Sequence, residues 1–464
     1  MALLGTAFFM VILDATIVLT AIPSIQESLK LSVASVQWVL TGYAVTFGGL
    51  MLFFGRVADL VGRRRVFLAG VALFVLSSLL CGIAWTGVVL LAARAIQGVS
   101  AAIMAPTALA MVVSVFRDPT ERNRALGVWG ALGGIGATAG LLVGGVITSG
   151  LGWQWIFYIN VPIGIAIFLL VPVLVGDSRE RVTRRRFDAA GAITITAALV
   201  LLIYSVTYAP EVGWTSPGTI VGLALTAALV ALFLVIESRS AAALVPLRLF
   251  TLRTLAAGNL AMLAVGLAVD GMLFPLTLYA QQVLGYSALQ FGLTSAIMTV
   301  MSIVGAFAGQ AAVTRMGLRP IAVSAFLLIV TGTLLLTSVS VDGTFSGDLF
   351  WGLLIFGPGM GAAFVTSQIA ALDGVAEEES GLAAGLVDTS FNIGSALGIA
   401  IVTSVALSVA GQMTTDSPSA ALTEGLRSAF LTATVFAGLG LLAWLLPAKH
   451  TAPDHQDRPG EPTV

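Results

Sequence analysis

Fourteen times along this chain a run of about twenty apolar residues recurs, the length a helix needs to cross the hydrocarbon core of a bilayer. The runs cover 2–23, 36–56, 66–86, 88–115, 126–149, 157–176, 189–209, 218–237, 255–280, 288–313, 320–340, 348–372, 383–411 and 427–447. A membrane strand spans with about ten residues, so these runs exclude a barrel and predict an all-α membrane protein with 14 transmembrane helices. Composition agrees. Of 464 residues, 58% are hydrophobic and 10% charged, too few charges to clothe a water-facing surface. A net charge of −1 removes nucleic acid from the partners and leaves membrane lipids.

The scarce residue types narrow the chemistry. The two lysines, Lys30 and Lys449, are followed by Leu31 and His450, so no phosphate-binding loop ending in Lys-Ser or Lys-Thr exists. Both histidines, His450 and His455, lie in the terminal segment, and Cys81 is the single cysteine. No metal site is expected, no cofactor, and no internal disulfide. Proton chemistry at membrane depth therefore falls to carboxylates.

Basic residues set the expected orientation. Links after even-numbered runs are rich in arginine, as in Arg63–Arg65 and Arg184–Arg186, whereas the opposite links hold only Lys30 and Arg427. The positive-inside rule then places both termini and the arginine-rich links in the cytoplasm. The first run lacks a basic leader and a small-residue cleavage site, and is expected to stay as a span. Segment 412–426 is polar and is expected to form a short surface helix, and the glutamates Glu377–Glu379 are expected to cap the thirteenth span. The arginine-bearing link around Gly62 is echoed around Gly317. That echo predicts a six-helix half at 1–176, a two-helix insertion at 177–254, a second six-helix half at 255–447 and a disordered cytoplasmic tail at 448–464.

Charged and glycine-rich elements inside the apolar runs supply the candidate functional residues. The first run reads Leu13-Asp14-Ala-Thr16-Ile17-Val18, and the fourth holds Arg94-x-x-Gln97-Gly98-Val-Ser100. Arg94 is the only basic residue inside a run rather than at its edge, and an unpaired cation there costs about 2.5–3.5 kcal/mol. Counted inward from Pro23 and from the start of the fourth run, Asp14 and Arg94 both fall roughly 10–14 Å deep, which makes them prospective partners. Asp270 in the ninth run and Asp388 in the thirteenth are two further intramembrane acids. The link Gly55-x-x-x-Asp59-x-x-Gly62-Arg63-Arg64 offers glycines for a tight turn and an acid and arginines able to pair. The fifth run carries Gly127, Gly136, Gly140, Gly144 and Gly145, a smooth face for close helix approach. Trp153-Gln-Trp155-Ile-Phe157-Tyr158-Ile-Asn160-Val-Pro162 opens the sixth.

Together these stretches resemble the fourteen-span drug:proton antiporter group of the major facilitator superfamily. Five positions depart from its pattern: Leu19 for Asn, Leu60 for a basic residue, Ser100 for Gly, Leu141 for Pro and Asp388 for Asn. The resemblance implies a monomer, a small amphiphilic substrate, and the proton gradient as energy source. It implies that Asp14, tuned by Arg94 and Gln97, or Asp270 carries the coupling proton, that Asp388 lines the cavity, that Gly55–Arg64 gates the halves, and that the fifth-run glycines form the antiporter element. Plain alternatives stand beside each: a structural ion pair, a positive-inside anchor and ordinary helix-packing glycines. The functional expectation is export across the inner (cytoplasmic) membrane. Uptake by proton symport is the alternative that Leu141 leaves open, and a membrane-embedded enzyme or receptor stands third, because no catalytic set is evident within the runs.

Overall fold

A computed structural model describes residues 1–116, 119–174, 188–240, 252–373, 375, 380–413 and 417–445. Over these residues the chain is all helical, with fifteen α-helices. They are α1 (Ala2–Leu29), α2 (Val33–Val61), α3 (Arg63–Gly82), α4 (Gly87–Val115), α5 (Pro119–Leu151), α6 (Trp155–Tyr158), α7 (Asn160–Leu174), α8 (Ala189–Val212) and α9 (Pro217–Arg239), followed by α10 (Arg253–Leu278), α11 (Ala288–Met316), α12 (Leu318–Leu336), α13 (Phe350–Leu372), α14 (Ser380–Gln412) and α15 (Pro418–Leu445). Among the described residues, eleven helices are long and apolar enough to cross a membrane, and α5 and α8 carry shorter apolar stretches at Ala139–Leu151 and Ala190–Val206.

Local chemistry explains most helix ends. Ser32, Thr86 and Ser216 accept a main-chain N–H three residues on and start α2, α4 and α9, the last with Pro217 in the first turn. Ser287 and Gln290 satisfy each other's backbone N–H groups at the start of α11, a reciprocal cap. A single residue, Gly62, separates α2 from α3, and a single residue, Gly317, separates α11 from α12. Both hold positive φ, 111° and 85°, where a side chain would strain the backbone. Each link is tied to a neighbouring helix by an arginine donating to main-chain carbonyls. Arg63 Nη1 reaches Ala110 O at 3.2 Å, and Arg319 reaches Trp444 O at 2.9 Å and Leu445 O at 2.7 Å.

Two expectations are corrected. The first helix does not stop at Pro23 but runs through it to Leu29, because a proline in the last turns loses only one hydrogen bond. Residues 418–426 are not a separate surface helix; they are the opening turns of α15, and Thr423, Gly425 and Leu426 are already buried. The glutamates at 377–379 and the tail at 448–464 lie outside the described residues, as does the side chain of Asp59.

Packing follows the small residues. Helix α1 lies on α5, α2 and α3 on α4, and α3 on α7; α10 lies on α14 and α15, α11 on α13, and α12 on α13 and α15. Contacts between these two sets run mainly through α2 with α14 and α5 with α11. Helix α8 rests on α2, α14 and α9. Prolines sit inside α1 (Pro23), α4 (Pro106), α10 (Pro275) and α13 (Pro358), and one sequence spacing relates both Pro23 to Pro275 and Pro106 to Pro358.

Candidate functional site

Gly136, Gly140 and Gly144 of α5 build the floor beneath Asp14. A Cβ on Gly136 would meet Phe9 O at 3.2 Å, and one on Gly140 would lie 2.9 Å from Ile17 N and 3.0 Å from Leu13 O. One on Gly144 would lie 2.7 Å from Ile17 O. Helix α1 is therefore seated on α5 backbone to backbone, which fixes its rotation and turns Asp14 toward α4 and α7. Gly145 faces the other way, with Ala288 O of α11 2.6 Å from a hypothetical Cβ. Gly127 lies in the first half of α5.

Asp14 is fully buried and meets Arg94 directly: Arg94 Nη1 donates to Asp14 Oδ2 at 2.7 Å, with both side chains at 0% exposure. Gln97 Nε2 donates to Asp14 Oδ1 at 3.0 Å and Asn160 Nδ2 to the same oxygen at 2.6 Å. The guanidinium is held in turn. Arg94 Nε donates to Val39 O at 2.9 Å, and Nη1 also reaches Gln97 Oε1 at 2.7 Å. Its flat face lies 4.3 Å from the Tyr43 ring centroid and 5.8 Å from that of Phe157. Gln97 is fixed by Ser78, to whose Oγ it donates at 2.8 Å. Residues from α1, α2, α3, α4, α6 and α7 thus converge on one carboxylate. In so dry a place the ion pair survives because every carboxylate oxygen is hydrogen-bonded.

Asn160 and Ser78 are members of this cluster that the sequence reading did not weigh. An asparagine inside an apolar run, at the depth of Asp14, was the available signal. The Val39 carbonyl carries no side-chain signal at all.

Asp270 and Asp388 stand elsewhere. Both are half-buried, on α10 and α14. Asp270 faces Ser395 of α14. Asp388 is seven residues before Ser395, two helical turns along the same face. No hydrogen bond or ion pair among the described residues joins either acid to the Asp14 cluster. Gly55 sits near Pro106, whose Cβ lies 3.7 Å from a hypothetical Cβ on the glycine, while Gly62 makes the turn into α3 and Arg63 anchors it on α4. Arg64 is half-buried at the same corner.

The two sets of helices touch closely at the arginine-poor end. A π-helical turn, Tyr279–Val283, extends α10 there. From it Gln281 Nε2 donates to Thr20 O at 3.2 Å and Gln282 Nε2 to Gln26 Oε1 at 2.7 Å. Leu289 N donates to Ser149 Oγ at 3.0 Å, and Leu141 O lies 2.8 Å from a hypothetical Cβ on Gly292. A π-turn spends an extra residue per turn and re-aims the side chains that follow, which is how two successive glutamines both come to face α1.

Helices of this length, with a buried ion pair and close contacts between two sets at one end, have the form of a membrane carrier, and residues 4–399 match the family model of the Major Facilitator Superfamily. The chain belongs to the Major Facilitator Superfamily. Among the relatives of this Major Facilitator Superfamily chain, a cephamycin export protein of Amycolatopsis lactamdurans is 37% identical, over 96% of this chain and 91% of its own length. A puromycin resistance protein of Streptomyces alboniger is 34% identical over 95% and 89%. In fold, the chain is similar to a bacterial homologue of the human lysosomal transporter Spinster in its inward-facing, unoccupied form, with a TM-score of 0.65, 15% identity and coverage of 96% and 95%. The Major Facilitator Superfamily is a family of transporters rather than of enzymes, and the chain is a multi-pass membrane protein.

Proposed function

We propose that this protein exports amphiphilic drugs, antibiotics or secondary metabolites across the cytoplasmic membrane by alternating access, driven by the proton gradient. The observation that carries the reading is family membership together with relatives named for antibiotic export and resistance along nearly their full lengths. Those relatives favour export over uptake despite Leu141.

In this reading fourteen helices span, as a six-helix half at 1–176, an inserted pair at 177–254 and a second half at 255–447, with both termini cytoplasmic. The repeated proline spacing and the matching one-residue links at Gly62 and Gly317 support two related halves. The hydrogen bonds from Gln281, Gln282 and Leu289 then close the outer side, and substrate enters from the cytoplasm or the inner leaflet. Gly55–Arg64 gates the inner side.

Proton handling divides between two kinds of carboxylate. Asp14 is enclosed by three donors, so its exchange with water requires Arg94, Gln97 or Asn160 to let go. Among the described residues Asp270 and Asp388 are half-buried and make no ion pair, and the place of α10 as the second-half counterpart of α1 favours Asp270 as the acid that loads first. The membrane potential adds about 2.3 kcal/mol per charge per 100 mV to drive the cycle.

The test is efflux of puromycin and ethidium from cells and proteoliposomes, with and without an uncoupler, for wild type and for Asp14→Asn, Asp270→Asn and Asp388→Asn. Uncoupler-sensitive efflux that is lost in Asp270→Asn is the expected result. Efflux that ignores the uncoupler, or survives all three substitutions, overturns the proton assignment.

A further inference from the structure

Helices α8 and α9 have no counterpart in the repeated pattern of the other spans, and the contacts of α8 point to what they do. Adjacent glycines on α2 face two different helices. A Cβ on Gly48 would meet Asn392 Cβ of α14 at 2.6 Å, whereas one on Gly49 would touch Thr196 Cγ2 of α8 at 3.9 Å. Helix α8 therefore lies in the groove where α2 and α14 meet. Two small apolar clusters fill it: Ala44, Val45, Ile203 and Ala396 in one, Ala192 and Leu386 with Phe53 and Ile195 in the other.

The two walls of this groove hold α8 differently. Thr196 Oγ1 donates to Gly49 O of α2 at 2.8 Å. Among the described residues, most helical hydroxyls bond the carbonyl one turn back in their own helix, as Thr226 and Thr277 do. Thr196 gives its proton to another helix instead, and in apolar surroundings such a bond is directional and has no water to replace it. Trp38 of α2 also lies 6.2 Å from Tyr204 of α8, ring to ring. Toward α14, no hydrogen bond from α8 exists among the described residues. The contact there is apolar, Ala192 on Leu386 and Ile203 on Ala396, and an apolar contact is non-directional. On its far side α8 carries α9, with Gly222 closed against Ser205, and α9 exposes Ile220, Val221, Leu225 and Leu232.

We propose that α8 and α9 travel with α2, that α14 slides beneath α8 as the halves rock, and that the pair thereby shields the α2–α14 seam from lipid throughout the cycle. The proposal rests on the alternating-access reading above. It assigns the inserted helices a role as a lateral seal anchored to one half only.

The experiment uses one shared cysteine on α8. Ile203→Cys is combined either with Val45→Cys on α2 or with Ala396→Cys on α14, and the full-length protein in proteoliposomes is bridged by a short, membrane-permeant, reducible bis-thiosulfonate. Uptake of puromycin and ethidium into these proteoliposomes, driven by an imposed proton gradient (acid inside), is measured before bridging, after bridging, and after dithiothreitol. The α8–α2 bridge is expected to leave the rate nearly unchanged. The α8–α14 bridge is expected to lower it by about tenfold or more, with recovery on reduction, because a conformational step is blocked. The reverse pattern, two tolerated bridges or two blocking bridges each overturn the seal. Unbridged proteins that move neither probe overturn the transport reading, and the seal with it.

Discussion

Removing one member of the Asp14–Arg94 pair leaves the other charge stranded at 0% exposure, and the cost can be worked out. Arg94→Met deletes the donors to Asp14, Gln97 and Val39 O, leaving the carboxylate with Gln97 and Asn160 alone. Asp14→Asn keeps the shape but strands the guanidinium. Breaking a buried pair in this way costs about 3–5 kcal/mol, mostly for the uncompensated charge. The double variant has no charge left to strand, and replacing both partners is often close to neutral, so the single effects should fail to add by at least about 3 kcal/mol. The assay is reversible denaturation of the purified protein in mixed micelles, followed by tryptophan fluorescence, for the four members of the cycle. Strict additivity, or a single variant that loses less than about 1 kcal/mol, would refute the picture of an isolated, dry ion pair.

Three further outcomes are expected. Asn160→Ala removes the 2.6 Å donor to Asp14 and should lower stability by about 1.5–3 kcal/mol in the same assay, with Asn160→Gln recovering part of it. Gly140→Val should weaken the α1–α5 contact by several kcal/mol, because its side chain would fall on Leu13 O and Ile17 N, which cannot move aside; cysteine cross-linking between Phe8 and Trp129 positions, whose rings now stack at 4.2 Å, reads the separation. Gln282→Ala should shift the population toward an open arginine-poor end, seen as faster labelling of Ser24→Cys by a membrane-impermeant maleimide; an unchanged rate would remove Gln282 from the gate.

The apolar runs were legible because the bilayer imposes a length that few other environments require. Asp14 and Arg94 were legible for a related reason: a lone cation at depth needs a partner, and rise per residue converts sequence position into depth. The same arithmetic set the end of α1 too early, since Pro23 reads as a terminus although a helix tolerates it near the last turns. It also detached 418–426 from α15, because the polarity of Ser417, Ser419, Thr423 and Glu424 hides the fact that their helix continues into the apolar run. What stayed illegible depends on the backbone of other helices. Val39 O receives Arg94, Gly49 O receives Thr196, and the π-turn at Tyr279 re-aims two glutamines; none leaves a mark in residue type.

The one-residue links at Gly62 and Gly317 leave no slack between the helices they join. A hinge made of a long loop would absorb a push; a joint of one residue, pinned to a neighbour by Arg63 or Arg319, hands it on. Each such corner works as a stiff elbow, so that a tilt of α2 is delivered to α3, and one of α11 to α12, without loss in between.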